Sequence, residues 1–564
     1  MSASAAKRDN ALSPADFGFD PARFPSFRKQ QLERALDIAA STKRVSCLDA
    51  PPGVGKTAVN LLIGLISNVR TLVLTSTKAL QTQYMRDAET LGATDIRGQA
   101  NYRCVALDRG GVLEGFGDIG SSCAEGPCRV GVHCRHRNGG GCGYYDAIEA
   151  AKSAQIVVTN YAMWLTLAKH SDPTLIGKFG LLVCDEAHDC PDRLSDFCAV
   201  ELNAADVGSL LGLRLPPLNE GIDAWSIWAK SAAATARDKI VGRREALKAG
   251  GGDRRKLTKE LLRLTTLERD LAEMAKARAW RRSEQPSTPA AVPGDVGDWV
   301  AYETPTGAKF SPIWAWQYAE EYLFRGIEKV VLSSGTLLPS VVKRLGIADG
   351  SYDWHEVKSS FAASRRPVTY VPTVRMDSRA NEGQKRIWMN RIDEIVRARM
   401  DRKILIHSVS YERGDDIKRR AVERKLPWAK HILTHTSRTT RETIEKFKRS
   451  AAPCILITPA AVEGVDFPYD SVRTIIIPKV PFASSTDPVF KARCKQDESY
   501  RFECAALLII QMCGRGMRAA DDMVECIVID DHYSYLRWKT TWPTWVKAAW
   551  RVSTTVPSPL KLTA

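Results

Sequence analysis

Short unbroken runs of aliphatic and β-branched residues recur along the chain: Val45-Ser46-Cys47-Leu48, Thr71-Leu72-Val73-Leu74, Ile156-Val157-Val158, Leu181-Leu182-Val183-Cys184, Ile404-Leu405-Ile406, Ile455-Leu456-Ile457 and Ile475-Ile476-Ile477. They lack the polar alternation of a strand with one wet face, and turn or helix signals follow each of them. The pattern therefore predicts strands buried on both faces of parallel sheets, with helices between them. The runs suffice for two open α/β sheets, divided near residue 365.

Two segments break the rhythm of the first sheet. From about 96 to 150 the chain is rich in Gly and Cys and poor in Leu, Ile and Val, so it cannot build a core of its own, and a bound metal centre would supply the missing stability. From about 200 to 310 the pattern turns helical: Leu257, Leu261, Leu264, Leu267, Leu271 and Met274 recur at spacings of three and four after a Gly250-Gly251-Gly252 turn. Residues 241–283 hold 13 Lys and Arg against 6 Asp and Glu, which suits a solvated helical hairpin and a nucleic-acid contact equally. The expected layout is a first domain from 1–95, 151–199 and 311–365, a cysteine-rich domain at 96–150, a helical insertion at 200–310, and a second domain at 366–564.

Composition narrows the partners. A length of 564 residues implies several domains, and 44% apolar with 26% charged residues describes an ordinary globular chain. The formal net charge of +16 favours a polyanionic partner, nucleic acid before an anionic membrane. No apolar run of membrane-spanning length and no signal peptide is visible, so the expected location is cytoplasmic with no membrane partner. Five of the 14 cysteines crowd between Cys104 and Cys142, which points to a metal site rather than a disulfide scaffold.

The chemistry begins at Ala50-Pro51-Pro52-Gly53-Val54-Gly55-Lys56-Thr57, between the first strand and a helix. Glycines let backbone N–H groups curl around phosphates, Lys56 reaches the β- and γ-phosphates of ATP, Thr57 holds Mg²⁺, and the helix start faces the anion. The strand ending in Asp185-Glu186-Ala187-His188 supplies a second Mg²⁺ ligand in Asp185 and a base for the attacking water in Glu186, with His188 linking nucleotide state to its surroundings. Near the C-terminal end, Gln511-Met512-Cys513-Gly514-Arg515-Gly516-Met517-Arg518 places two guanidinium groups three residues apart, able to meet charge on the γ-phosphate.

In this order the motifs resemble the DinG/XPD branch of superfamily 2 DNA helicases over nearly the whole chain. Gln31 resembles the glutamine upstream of motif I, Thr75-Ser76-Thr77 with Leu80 to Gln83 motif Ia, Ser333 to Leu337 motif III, and His407 to Tyr411 motif IV. Glu463-Gly464-Val465-Asp466-Phe467-Pro468 is similar to motif V, Lys479-Val480-Pro481-Phe482 follows it, and Gln511 to Arg518 stands as motif VI. The resemblance implies two RecA-like parallel-sheet domains, the first interrupted by an iron–sulfur domain and an Arch-like insertion. It also implies a DEAH-box ATPase moving 5′ to 3′ on single-stranded DNA and at single-strand/duplex junctions, as a monomer and with a single-strand-binding protein as an occasional partner. Nucleotide contacts would come from Gln31, Pro52 to Thr57, Asp185, Glu463, Gly464 and Asp466.

The cysteines sit where that family carries its iron–sulfur domain. The resemblance assigns a [4Fe-4S] cluster to Cys104, Cys123, Cys128 and Cys142, with Cys134 as the alternate fourth ligand. A zinc site using His133 or His136 is the competing reading. Only about 26 residues precede the Phe27 region, which leaves no room for a nuclease domain there.

Overall fold

The computed structural model describes residues 12–108, 122–131, 133–137, 141–170, 175–249, 254–276, 299–459, 467, 469–483, 486–516 and 522–561. The first half contributes β1 (Val45–Asp49), β2 (Thr71–Thr75), β3 (Ala93–Asp95), β4 (Ile156–Asn160), β5 (Leu181–Asp185), β6 (Val200–Asn203), β7 (Trp299–Thr304), β8 (Gly307–Pro312), β9 (Lys329–Ser334) and β10 (Tyr352–Glu356). Seven of these form one parallel sheet in the order β10-β1-β9-β5-β2-β4-β3. Every residue of β1, β2 and β5 is buried, as the unbroken apolar runs require.

The second half contributes β11 (Val368–Val374), β12 (Lys403–His407), β13 (Ile432–Leu433), β14 (Cys454–Thr458), β15 (Thr474–Ile477), β16 (Glu525–Asp530) and β17 (Trp550–Val552). They form a second parallel sheet in the order β13-β14-β12-β15-β16-β11-β17. The expected α/β architecture of two parallel sheets is thus observed.

Three helices of the first half position the site: α1 (Gln31–Ala40), α2 (Lys56–Ser67) and α3 (Lys78–Asp87). Positions Ala58 to Gly64 of α2 are all buried, because the helix lies under the sheet between α1 and the strands. The chain leaves the sheet after β5, builds the insertion, and returns as β9 between β1 and β5. That crossing sets Ser334 opposite Asp49 and Ser333 opposite Asp185, aligning the carboxyl ends of three strands.

The insertion is not wholly helical, which corrects the expectation for 200–310. β6, β8 and β7 pair as an antiparallel sheet whose outer strands are Val200–Asn203 and Trp299–Thr304. Val200-Glu201-Leu202-Asn203 alternates apolar and polar residues over too short a run to stand out, and Trp299-Val300-Ala301-Tyr302 shows no alternation in sequence although its burial alternates. From this base rise two long helices, Gly221–Lys248 and Arg254–Ala275. Ala229, Ala232, Ala233, Ala236 and Ile240 of the first meet Leu261, Leu264, Leu267, Leu271 and Met274 of the second, all buried. Small residues on one side admit large ones on the other. Gly250 to Gly252 lie outside the described residues.

A buried ion network ties the second sheet to the chain's last segment. Arg399 sends a two-pronged fork to Glu525, with Nε to Oε1 at 2.7 Å and Nη2 to Oε2 at 2.9 Å, and Nη2 also donates to the Pro557 carbonyl at 2.9 Å. Thr474 Oγ1 donates to Glu525 at 2.8 Å, and Arg402 donates to the Leu560 carbonyl at 3.0 Å. Nearby Trp542 and Trp545 are buried against this sheet, Trp550 is half-buried, and Trp538 stands 85% exposed.

Candidate active site

The carboxyl ends of β1, β5 and β9 face the second sheet across a cleft of about 900 Å³. Its lining draws Gln31, Pro52, Gly53, Gly55, Lys56, Thr57, Asp185, Glu186 and His188 from the first sheet's side, and Gln511 and Arg515 from the second's. Gly53 and Gly55 have φ of 78° and 80°, which side-chain-bearing residues rarely adopt, and Gly55 caps the start of α2. The loop is braced from behind. Gln31 Nε2 donates to the carbonyls of Val54 at 2.8 Å and Gly55 at 3.3 Å, its Oε1 accepts the Arg28 N–H at 2.7 Å, and Arg28 also donates to Gly53. Gln31, expected to touch nucleotide, here spends its amide on the loop that would cradle phosphate.

Lys56 Nζ lies 2.6 Å from Glu186 Oε1 and 3.1 Å from Asp185 Oδ1. Burial alone would raise the Glu186 carboxyl, but Lys56, His188 and Arg515 together hold it down at about 2. Asp185, deeper and flanked by Glu186, is shifted upward by burial although Lys56 opposes this. Glu186 also occupies left-handed backbone, φ 52° and ψ 47°, a conformation that costs free energy and turns its carboxylate out of the strand line into the cleft.

A hydrogen-bonded chain connects that carboxylate to the second sheet. Gln511 Nε2 donates to His188 Nε2 at 2.8 Å, His188 Nδ1 meets Ser334 Oγ at 2.8 Å, and Ser334 Oγ donates to Glu186 Oε2 at 3.4 Å. His407, at the end of β12, is buried with its pKa held down at about 3 by burial and by Arg515.

Cys104 and Cys142 both meet Cys123 at the start of the helix Gly143–Ser153, and Cys128 lies within electrostatic reach of Cys134, Cys104 and Cys142. Cys123 Sγ is 3.8 Å from Cys142 Sγ, and its thiol is pushed up by a hydrogen bond with Cys104, by burial and by Cys142. Burial and then the fields of Cys134, Cys104 and Cys142 raise Cys128. In kind and number these donors fit an iron–sulfur cluster. Among the described residues no three His, Cys, Asp or Glu side chains are already drawn to the spacing of a metal site. Tyr102, Tyr144 and Tyr145 pack edge-to-face on one another beside the thiols, with centroids 5.6 and 5.3 Å apart.

Comparison with known proteins gives two family matches: residues 25–205 match the type III restriction enzyme res subunit, and residues 393–549 match the helicase C-terminal domain. The ATP-dependent helicase DinG of Mycobacterium tuberculosis is 25% identical over 507 residues, covering 79% of this chain and 74% of that protein. The 3'-5' exonuclease DinG of Bacillus subtilis is 25% identical over 227 residues, and the match spans only 24% of that longer protein. A solved XPD helicase superposes with a TM-score of 0.59 at 14% identity, covering 94% of this chain and all of that one. Together these matches support a superfamily 2 helicase of the DinG/XPD type. The Xpd4 structure from S. tokodaii gives a TM-score of 0.55 at 16% identity over 93% of this chain.

Arg518, Glu463, Gly464 and Asp466 lie outside the described residues. Asp49, which sequence reading passed over, stands directly before the phosphate loop. It is buried beside Glu356 on the neighbouring strand, and its Oδ1 has no hydrogen-bond partner. Burial and the Glu356 charge raise its carboxyl to about 7, against Lys56. Only its placement on the strand preceding the loop could have flagged it.

Because Asp49 binds its proton more tightly folded than unfolded, its contribution to stability is complete below about pH 4 and is lost as pH rises to about 7. Asp49→Asn is expected to raise the unfolding free energy of the ligand-free protein at pH 8, by at most about 4 kcal/mol, and to leave it nearly unchanged at pH 4. Thermal unfolding at several pH values checks this; an equal shift at both ends of the range would contradict it.

Proposed function

We propose that the protein is a DEAH-box ATPase that moves 5′ to 3′ along single-stranded DNA and separates duplex at single-strand/duplex junctions. The observation that carries this reading is the closed line from Gln511 through His188 and Ser334 to Glu186, which joins the hydrolytic carboxylate of one sheet to the other sheet. A translocating motor needs such a link, because hydrolysis must alter the grip of one sheet relative to the other.

In this reading Lys56 leaves its two carboxylates for the β- and γ-phosphates when ATP enters, freeing Glu186 to orient and deprotonate water. Thr57 and Asp185 would hold Mg²⁺, which supplies charge neutralisation on the phosphates. Arg515, with Arg518, meets the γ-phosphate from the second sheet, and Glu463, Gly464 and Asp466 complete the nucleotide contacts. Residues 1–95, 151–199 and 311–365 form the first motor domain, 366–564 the second, and 200–310 the Arch-like insertion.

Residues 96–150 form the iron–sulfur domain, with Cys104, Cys123, Cys128 and Cys142 as ligands of a [4Fe-4S] cluster and Cys134 as the alternate. The neighbouring thiols support this, as does the resemblance. The same resemblance supports action as a monomer in the cytoplasm, alongside a single-strand-binding protein. Among the described residues no helix is long and apolar enough to cross a membrane.

The deciding experiment measures ATP hydrolysis by anaerobically purified protein with and without single-stranded DNA, beside Lys56→Ala, and strand displacement on 5′- and 3′-tailed duplexes. DNA stimulation of about tenfold or more, lost in the variant, with displacement of the 5′-tailed duplex alone, is expected. Hydrolysis indifferent to DNA, or preference for the 3′ tail, overturns the motor or its polarity. Iron and sulfide content, with absorbance near about 400 nm that falls in Cys123→Ser, tests the cluster apart from activity.

A further inference from the structure

The two parallel sheets touch at a second place, away from the nucleotide cleft. There the helix Pro488–Gln496 of the second half wedges between the helix Cys190–Cys198, which follows the Asp185 to His188 segment, and the end of β8 in the insertion's base. Arg493 lies at the centre of this joint, only 6% exposed. Its guanidinium uses every face: Nε donates to the Ile313 carbonyl at 2.6 Å, Nη1 to Asp192 Oδ1 at 2.5 Å and Tyr500 OH at 2.8 Å, and Nη2 to Ser195 Oγ at 2.8 Å.

Aromatic and cationic groups alternate around it. Trp314, one residue past Ile313, packs edge-on against Tyr500 at 5.2 Å and donates from Nε1 to Gln496 Oε1 at 2.7 Å. The Arg493 guanidinium lies 4.9 Å from the Trp314 ring centroid. On the same two rings Arg344 lies 5.4 Å from Trp314 and 4.7 Å from Tyr500, and it also binds Glu503 and Asp497. One fork thus holds three bodies at once: the helix that begins where the hydrolytic segment ends, the second sheet, and the root of the helical insertion.

We infer that Arg493 is the positioning residue through which nucleotide-driven movement between the sheets is delivered to the helical insertion. The inference rests on the reading of the protein as a strand-separating motor. Asp192 and Ser195 lie four and seven residues beyond His188, in the helix that follows directly on the Ala187–Asp189 turn, so a change at Glu186 or His188 reaches Arg493 over one short continuous stretch of chain. Ile313 directly follows β8, so the same fork moves the sheet from which the long helices rise. The planar five-donor group is what such a joint requires, since an ammonium, with three donors and no fixed plane, cannot hold all four acceptors in fixed directions.

The test compares Arg493→Lys and Ser195→Ala with the parent protein for DNA-stimulated ATP hydrolysis, strand displacement per ATP consumed, and thermal midpoint. Lysine keeps the charge facing Asp192 but not the fork, and Ser195→Ala removes one acceptor on the first-sheet side. In Arg493→Lys we expect hydrolysis within about twofold of the parent and displacement per ATP lower by about tenfold or more. Ser195→Ala should move the same ratio in the same direction by a smaller factor, with an unchanged midpoint.

An unchanged ratio in both variants overturns the inference, as does a loss of hydrolysis in proportion to displacement at a native midpoint. If Arg493→Lys does not fold, Ser195→Ala and Gln496→Ala decide by the same ratio. A parent protein without DNA-stimulated hydrolysis would instead refute the motor reading itself, before any variant is compared.

Discussion

Glu186→Gln is expected to lower ATP turnover by about a thousandfold, equivalent to about 4 kcal/mol of barrier, while nucleotide binding changes by no more than a few-fold. The amide keeps the size of the carboxylate and can still accept from Lys56, so the phosphate side of the cleft is preserved. It cannot take a proton from water. In the ligand-free parent, Lys56, His188 and Arg515 keep the carboxyl ionised down to about pH 2, so it is a carboxylate throughout the working range, and the departure of Lys56 to the phosphates strengthens it as a base. Single-turnover hydrolysis with saturating single-stranded DNA is the measurement. Residual activity within tenfold of the parent would mean that another group handles the water, and that the Ser334 and His188 line serves some other end.

The second large effect is on stability. Glu525→Gln is expected to destabilise the second sheet by about 3–5 kcal/mol, because it strands Arg399, whose side chain is 0% exposed, without a counter-charge, whereas the neighbouring Arg402 keeps Asp401. Replacing both partners, as in Arg399→Met with Glu525→Leu, is expected to recover most of that loss, since an apolar pair avoids the cost of buried charge. Urea unfolding followed through the tryptophans of this half checks both. A double variant no better than the single one would show that the link to Pro557 and Leu560 matters more than the charges.

Much of this was legible from the chain. All seven apolar runs became strands, since a parallel sheet covered on both faces leaves its central strands no polar choice. The phosphate loop and Asp185-Glu186-Ala187-His188 also fell together, because loop chemistry at a strand end is local. Of the strands that these runs leave out, β3, β10, β13 and β17 are sheet edges of at most five residues, and Tyr352-Asp353-Trp354-His355-Glu356 is too polar to announce itself, whereas β9, β11 and β16 are longer interior strands whose apolar stretches are mixed with Lys, Ser, Thr, Glu or Asp. The antiparallel base of the insertion was hidden by the charged helices on either side. At the site, Gln31 was expected to read nucleotide, and only its distances to Val54 and Gly55 reveal the brace. Asp49 and Arg493 carried no motif, since their surroundings come from strands and helices hundreds of residues away.

The strand order bears on how the chain is made. β1 pairs only with β9 and β10, so the strand that carries the phosphate loop has no neighbour until the ribosome has passed residue 334, and lacks its second until residue 356. At roughly 5–20 residues per second the delay is about 15–60 s. During it an apolar strand with both edges open must be shielded, while the two long insertion helices, adjacent in sequence, can already have paired. Completion of the nucleotide cleft is therefore one of the last events of the first half's synthesis.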